Sequence, residues 1–237
     1  YLDCSNERPN HEFPEQPYLK HSDGIMCVSQ LALERAEDLG KGPISHIPNG
    51  VDVSHIRDGD GQRVRQEHGL EGKKVVSVIG PTRCDPPYYL NAVQEMPDDV
   101  ALMIVGDDES LRREITRRES DRLVYVGRVP YAQVPDYYAA SDVGLYPVDG
   151  LVYDDGRSPL KVFEYIAAGK PVVSAPIREV KALDFENVVL ADPDAASFRK
   201  GIERALQMED VQCSAVEQYD WKRISEKVLA FVRKFVE

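Results

Sequence analysis

Residues Lys74–Gly127, KVVSVIGPTRCDPPYYLNAVQEMPDDVALMIVGDDESLRREITRRESDRLVYVG, decide the fold. Three short apolar runs stand in this stretch: Lys74–Ile79, Val100–Val105 and Leu123–Val126. Each is followed by a glycine: Gly80, Gly106 and Gly127. Between them, Tyr88–Met96 and Glu109–Arg118 carry apolar residues at helical spacing. A strand with one wet face alternates polar and apolar residues, whereas a continuous apolar run is buried on both faces. The rhythm therefore predicts an α/β fold, a doubly wound parallel sheet with helices on both sides. Ligands of such sheets bind outside the carboxyl ends of the strands, where glycine permits a close backbone approach.

The same rhythm extends in both directions. Downstream it predicts strands at Val143–Tyr146, Pro171–Ser174 and Asn187–Leu190. Helices are predicted at Ala132–Ala140, Leu160–Ala168, Ala195–Met208 and Trp221–Val236. Upstream, Gly24–Ser29 and Ile44–Ile47 read as strands around a helix at Gln30–Leu39, and Gln62–His68 as a short helix. The Pro/Gly/Asn-rich break at Gly42–Gly50 marks the best boundary.

Composition narrows the function. A formal charge of −12 repels phosphate backbones, so broad nucleic-acid binding is not expected. No apolar run approaches the ~18 residues of a membrane span, and Tyr1–Cys4 lacks the basic and apolar regions of a signal peptide. The four cysteines lie too far apart for a zinc site or a redox pair, and read as reduced thiols of a cytoplasmic protein. There is no G-x-G-x-x-G, P-loop, H-E-x-x-H or G-x-S-x-G. Asp58-Gly59-Asp60-Gly61 fails the spacing of a calcium loop and reads as a solvated loop. No histidines pair at ligand spacing, so no metal site is expected.

The densest signal is Tyr153–Ala175, YDDGRSPLKVFEYIAAGKPVVSA. Ser158 reads as an N-cap, Pro159 as the first helical residue and Gly169 as the C′ residue, with Pro171 preventing continuation. Leu160, Phe163 and Ala167 form one stripe, read as core. Lys161, Glu164, Tyr165 and Ala168 form a second. A lysine in the first turn opposes the helix dipole at a cost of ~0.3–1 kcal/mol, and Lys before Glu is the weaker order for a helical ion pair. One reading is a surface Lys–Glu pair. The sharper one is an anion at the helix start, held by backbone N–H groups and Lys161, with Glu164 accepting hydrogen bonds from sugar hydroxyls. A diphosphate next to a ribose satisfies both residues.

This segment resembles the nucleotide-sugar site of GT-B glycosyltransferases, particularly family 4, whose pattern is Glu, seven residues, Glu, then a helix ending in A-A-G-K-P-V-V. Ala167–Val173 matches that ending and Glu164 the second Glu. The S-P-L-K-x-F-E version is similar to a divergent branch in which the lysine contacts the donor pyrophosphate. Ile47–Asp52 matches I-P-N-G-V-D, Val126–Pro130 resembles the loop that recognises the base, Tyr137–Val143 resembles Y-x-x-A-D-V, and Asp220-Trp221 the start of the terminal helix. Two departures stand out. Gly156 occupies the place of the first Glu, with Asp154 and Asp155 the nearest acids. Arg83, in Gly80–Cys84, is the single basic residue of the phosphate loop.

The resemblance implies the Rossmann-like C-terminal domain of a GT-B fold. Residues 1–46 would be a remnant of an N-terminal acceptor domain and linker. Residues 47–218 would bind the donor, and 219–237 would pack back toward the missing first domain. It implies transfer of a sugar from a nucleotide-diphosphate sugar to a sugar or lipid-linked acceptor, in polysaccharide synthesis, at the cytoplasm or the inner membrane face. No metal or other cofactor is implied. Lys161, Ser158, Leu160 and Arg83 would hold the pyrophosphate, Glu164 the ribose, and Gly127, Arg128 and Val129 the base, with Asp154 and Asp155 as catalytic candidates. A non-catalytic nucleotide-sugar-binding module and a nucleotide-sugar epimerase are the alternatives.

Overall fold

The computed structural model describes residues 21–39, 42–81, 88–118, 120–148, 156–183, 185–208 and 214–235. Six strands form the main sheet: β3 (Lys74–Ile79), β4 (Val100–Val105), β5 (Leu123–Gly127), β6 (Val143–Tyr146), β7 (Val172–Ser174) and β8 (Val188–Leu190). Every pairing is parallel, in the order β5-β4-β3-β6-β7-β8. Counted from β3 this is 3-2-1-4-5-6, the Rossmann order, and its direction reverses between β3 and β6. Two shorter strands, β1 (Ile25–Cys27) and β2 (Ile44–His46), pair in parallel in a separate sheet.

The apolar runs work as expected. All six residues of β4 are buried. Ala101, Met103 and Val105 face one core, while Val100, Leu102 and Ile104 face the other. The first core is closed by α2 (Val53–Arg57), α3 (Gly61–Glu67), α6 (Val134–Ala140), α7 (Leu160–Ala167) and α8 (Arg178–Leu183). The second is closed by α4 (Tyr88–Gln94), α5 (Glu109–Arg118) and α9 (Ala195–Ala205). The helix α1 (Gln30–Leu39) crosses from β1 to β2, and α10 (Trp221–Arg233) follows a 3₁₀ segment at Ser214–Tyr219. The small unit β1–α1–β2 is tied to the rest by Glu179, which accepts from the Gln30 amide at 2.6 Å, and by the Arg178–Glu34 pair.

Some elements differ from expectation. The helix expected over Ala132–Ala140 divides into a 3₁₀ turn, Tyr131–Gln133, and α6, because Pro135 has no N–H for a continuous helix to use. The short helices α2 and α8 lacked an apolar period long enough to read. Asp60, expected in a merely solvated loop, caps α3 by accepting from the Gln62 amide. A Cβ on Gly59 would stand 2.1 Å from the Pro135 carbonyl oxygen, so that loop is packed on α6. No helix among the described residues is long and apolar enough to cross a membrane. Of the four cysteines Cys27 is described; it is free and buried, and burial pushes its thiol pKa up.

Two sequence motifs far apart in the chain meet. The Val51 amide donates to the Tyr219 carbonyl at 2.8 Å, and the Trp221 amide returns a bond to Val51. A Cβ on Gly50 would meet the Trp221 ring at 2.7 Å. Thus Ile47–Asp52 and Asp220-Trp221 are two sides of one backbone bridge at the start of α10.

Candidate functional site

The carboxyl ends of β3 and β6, where the strand order reverses, open into a cleft of about 330 Å³. Its floor is Val78–Gly80 and Leu145–Pro147. Ser158, Leu160 and Lys161 enter from the start of α7, and Val28 and Asn49 come from the segments that follow β1 and β2. A crevice at this switch point is where open α/β sheets bind ligands.

Glycine geometry shapes the rim. Gly80, Gly106 and Gly127 have φ of 72°, 145° and 82°, backbone that residues with a Cβ rarely adopt. The Gly80 amide donates to Val105 and the Gly106 amide to Gly127, so the three loops form one continuous edge. A Cβ on Gly80 would lie 2.8 Å from Lys161 Cε. The absent side chain is what lets the lysine lie over the end of β3.

The helix that delivers the lysine is fixed at both ends. At its C-terminus the Gly169 amide donates to Ile166 and the Lys170 amide to Tyr165, the paired bonds of a Schellman motif, with Gly169 at φ 69° as expected. Lys170 Nζ reaches the Ala139 carbonyl at 3.1 Å, tying this end to α6. Burial pulls the Lys170 pKa down, with Asp142 opposing. At the N-terminus the expected cap is corrected. Pro159 is the capping residue and makes no side-chain bond, while the Ser158 hydroxyl accepts from the Asn49 amide at 3.0 Å. The Leu160, Val162 and Phe163 amides bond back to Ser158 and Pro159; the Lys161 amide takes no backbone bond among the described residues. Lys161 thus brings an ammonium and, among the described residues, an N–H without a backbone partner to the positive end of the helix dipole.

Glu164 lies one turn deeper. It is only 5% exposed, and its Oε2 accepts from Lys161 Nζ at 2.9 Å and from the Tyr138 hydroxyl at 2.6 Å. Among the described residues Oε1 has no such partner, so it keeps its acceptor capacity. This is not the surface pair of the first reading, since the carboxylate is inside. Six consecutive residues of α7, Val162–Ala167, are buried. The two-stripe expectation is corrected in two respects: Leu160 lines the cleft, and Tyr165 lies in the core.

Tyr165 locks the cleft floor. Its ring crosses β6 at Gly144, where any Cβ would stand 2.4 Å away. Its hydroxyl donates to the Ser77 carbonyl at 2.9 Å and accepts from the Ile79 amide at 3.1 Å. Burial drives the pKa of both Tyr138 and Tyr165 upward, so each hydroxyl stays a proton donor. Their rings meet edge to face at 4.8 Å.

The other expected site residues divide into two groups. Gly127, Arg128 and Val129 share the carboxyl rim but do not line the cleft; Val129 packs on the α7 core and Arg128 is exposed. Arg83, Asp154 and Asp155 lie outside the described residues. Gly156, at the place of the missing Glu, lines the cleft beside Leu31 of α1. Sequence reasoning missed Val28 and Asn49 in the cleft and Tyr138 against Glu164. Tyr138 stood inside the quoted Tyr137–Val143 motif, but nothing local connected it to a carboxylate 26 residues away. No group of three or more His, Cys, Asp or Glu among the described residues is placed to hold a metal.

Residues 73–208 match the family of glycosyl transferases group 1, and the chain belongs to that family. Over 165 residues it is 27% identical to TuaH of Bacillus subtilis (strain 168), assigned to teichuronic acid biosynthesis as a glycosyltransferase. That match covers 65% of this chain and 41% of TuaH. Among solved structures it is similar to Anabaena HepE in complex with UDP and glucose, with TM-score 0.75 and 20% identity. Sucrose-phosphate synthase of Thermosynechococcus elongatus gives TM-score 0.71 and 21% identity. These matches cover 90% and 94% of this chain but 63% and 60% of the others, so the chain spans under two thirds of these relatives. The fold is the Rossmann-like domain of GT-B glycosyltransferases.

Proposed function

We propose that this chain is the donor-binding part of a glycosyltransferase that takes a sugar from a nucleoside-diphosphate sugar and passes it to a sugar or lipid-linked acceptor hydroxyl, in polysaccharide synthesis. One observation carries the reading: a cleft-lining ammonium, Lys161, at the start of α7 by the sheet's switch point is paired with a buried carboxylate, Glu164, one turn deeper behind the lining. The positive helix end, the Lys161 amide and its ammonium are arranged for the diphosphate, whose leaving charge grows in the transition state. Glu164 Oε1 then accepts from the ribose. HepE, similar in fold, is solved with UDP and with UDP-glucose, so the uracil nucleotide is the first to try.

Residues 1–46 are proposed to belong to the acceptor side, 47–218 to donor binding and 219–237 to the return helix. The cleft already receives Val28 and Asn49 from outside the main sheet, and the acceptor is held by the rest of the longer protein. The test is titration calorimetry of this chain with UDP, GDP and ADP, in EDTA and in magnesium. Saturable binding of one of them, equal in both buffers, is expected; no binding of any overturns the reading. A second reading, a module that binds donor without turnover, is favoured by Gly156 in place of the first Glu. Acceptor-dependent release of nucleoside diphosphate by the full-length protein separates the two.

A further inference from the structure

We infer that Tyr138 is a positioning residue for sugar recognition: its hydroxyl holds Glu164 Oε2 so that Oε1 is presented to the ribose. The inference rests on the ribose reading of Glu164 and adds the group that aims it. Tyr138 is fully buried on α6, and its hydroxyl donates to Oε2 at 2.6 Å, a charge-assisted bond. Lys161 Nζ donates to the same oxygen at 2.9 Å. A carboxylate that spends one oxygen on two protein donors has a fixed plane and a fixed free oxygen. Lys161 by itself cannot fix it, since its flexible stem is also the group offered to the diphosphate. When the ammonium turns toward phosphate, Tyr138 is the donor that remains on Oε2.

The surroundings of Tyr138 allow little movement. Its ring meets the Tyr165 ring at 85° and 4.8 Å, and Tyr165 is itself held by Ser77 and Ile79. Ser141, one turn further along the chain, bonds Ser77 at 2.7 Å and the Tyr137 carbonyl at 2.8 Å. The end of α6, the end of β3 and the first turns of α7 are thereby joined through buried hydroxyls. The Tyr138 ring is thereby packed against a side chain that is itself held at two points.

The test compares UDP with 2′-deoxy-UDP and 3′-deoxy-UDP by titration calorimetry, with inorganic pyrophosphate as a control, in the native chain and in Glu164→Ala and Tyr138→Phe. The native chain is expected to prefer UDP over at least one deoxy analogue by about tenfold or more, as for a hydrogen bond to a charged group. Glu164→Ala is expected to erase that preference. Tyr138→Phe is expected to cut it at least threefold while pyrophosphate affinity stays within twofold, a split that general loosening of the fold would not give. Retained preference in Glu164→Ala overturns the ribose reading beneath the inference. Erased preference in Glu164→Ala with full preference in Tyr138→Phe overturns the positioning role alone. A measurement on the native chain covers the case in which Tyr138→Phe does not fold. The Tyr138 hydroxyl proton, followed by NMR with labelled tyrosine, should stay protected from solvent on saturation with UDP. Its loss into solvent exchange would show that the ribose replaces Tyr138 rather than joining it.

Discussion

Intrahelical acid–base pairing on two helices shows what burial changes. On α5, Glu114 bonds Arg117 at 2.7 Å and Arg118 at 2.8 Å. The acid precedes the bases, the order a helix favours, and the guanidinium of Arg117, then that of Arg118, holds the Glu114 carboxyl below its usual range. Arg117 is 75% exposed, so the pair sits in high dielectric and is replaceable. On α7, Lys161 precedes Glu164, the weaker order, with the lysine at the wrong end of the dipole and the acid buried. A buried pair is weak evidence for stability, because desolvation offsets the attraction. The first pair needs nothing beyond its own helix; the second is where we propose that a ligand binds.

That contrast can be broken at several points. The largest effect is expected from Gly144→Val, which drives a side chain into the Tyr165 ring and undoes the floor beneath α7. Overpacking of this kind costs ~1–3 kcal/mol, and chemical denaturation should show a loss at the top of that range or beyond. Gly80→Ala is next. A left-handed alanine costs ~1–2 kcal/mol, and the new methyl displaces Lys161. Calorimetry should show weakened nucleoside-diphosphate binding with nucleoside binding kept.

A smaller effect is expected at Asp52, the cap of α2, whose carboxyl is held below its ordinary value first by the His55 amide and then by Ser54. Such a group stabilises above its unfolded pKa of ~3.9, and the contribution is lost as pH falls through the lower folded value. Asp52→Asn should therefore lower stability at neutral pH, where the ionised cap contributes fully, and flatten the stability profile below about pH 4, as thermal melts across pH would show. The smallest effect belongs to the surface pair: Arg117→Ala should leave nucleotide affinity unchanged and shift the melting temperature little.

The legible parts of this molecule are those where one local cause dominates. β3, β4 and α5 match the sequence reading residue for residue, because a doubly buried strand needs an unbroken apolar run and the glycine after it marks the end. The pairing of Lys161 with Glu164 could be read from their spacing and drew notice because it violates helix electrostatics; their proposed part in binding is not a matter of legibility. Ser158 was misread because a capping preference of ~1 kcal/mol yields to a tertiary bond, here the Asn49 amide. Tyr165 was misplaced because helical spacing tells which residues share a face but not what lies opposite. Gly144, 21 positions earlier, holds that information only once β6 and α7 are packed. The contact of Tyr138 with Glu164 was invisible for the same reason.

The proposed division of labour gives the diphosphate to Lys161 and the ribose to Glu164. The most direct measurement is calorimetric titration of the native chain, Lys161→Ala and Glu164→Ala with the nucleoside diphosphate that binds and with its nucleoside. Lys161→Ala is expected to lose at least about tenfold in diphosphate affinity and much less for the nucleoside, and Glu164→Ala to lose for both. Unchanged diphosphate affinity in both variants would contradict it and leave the pair a structural feature of α7.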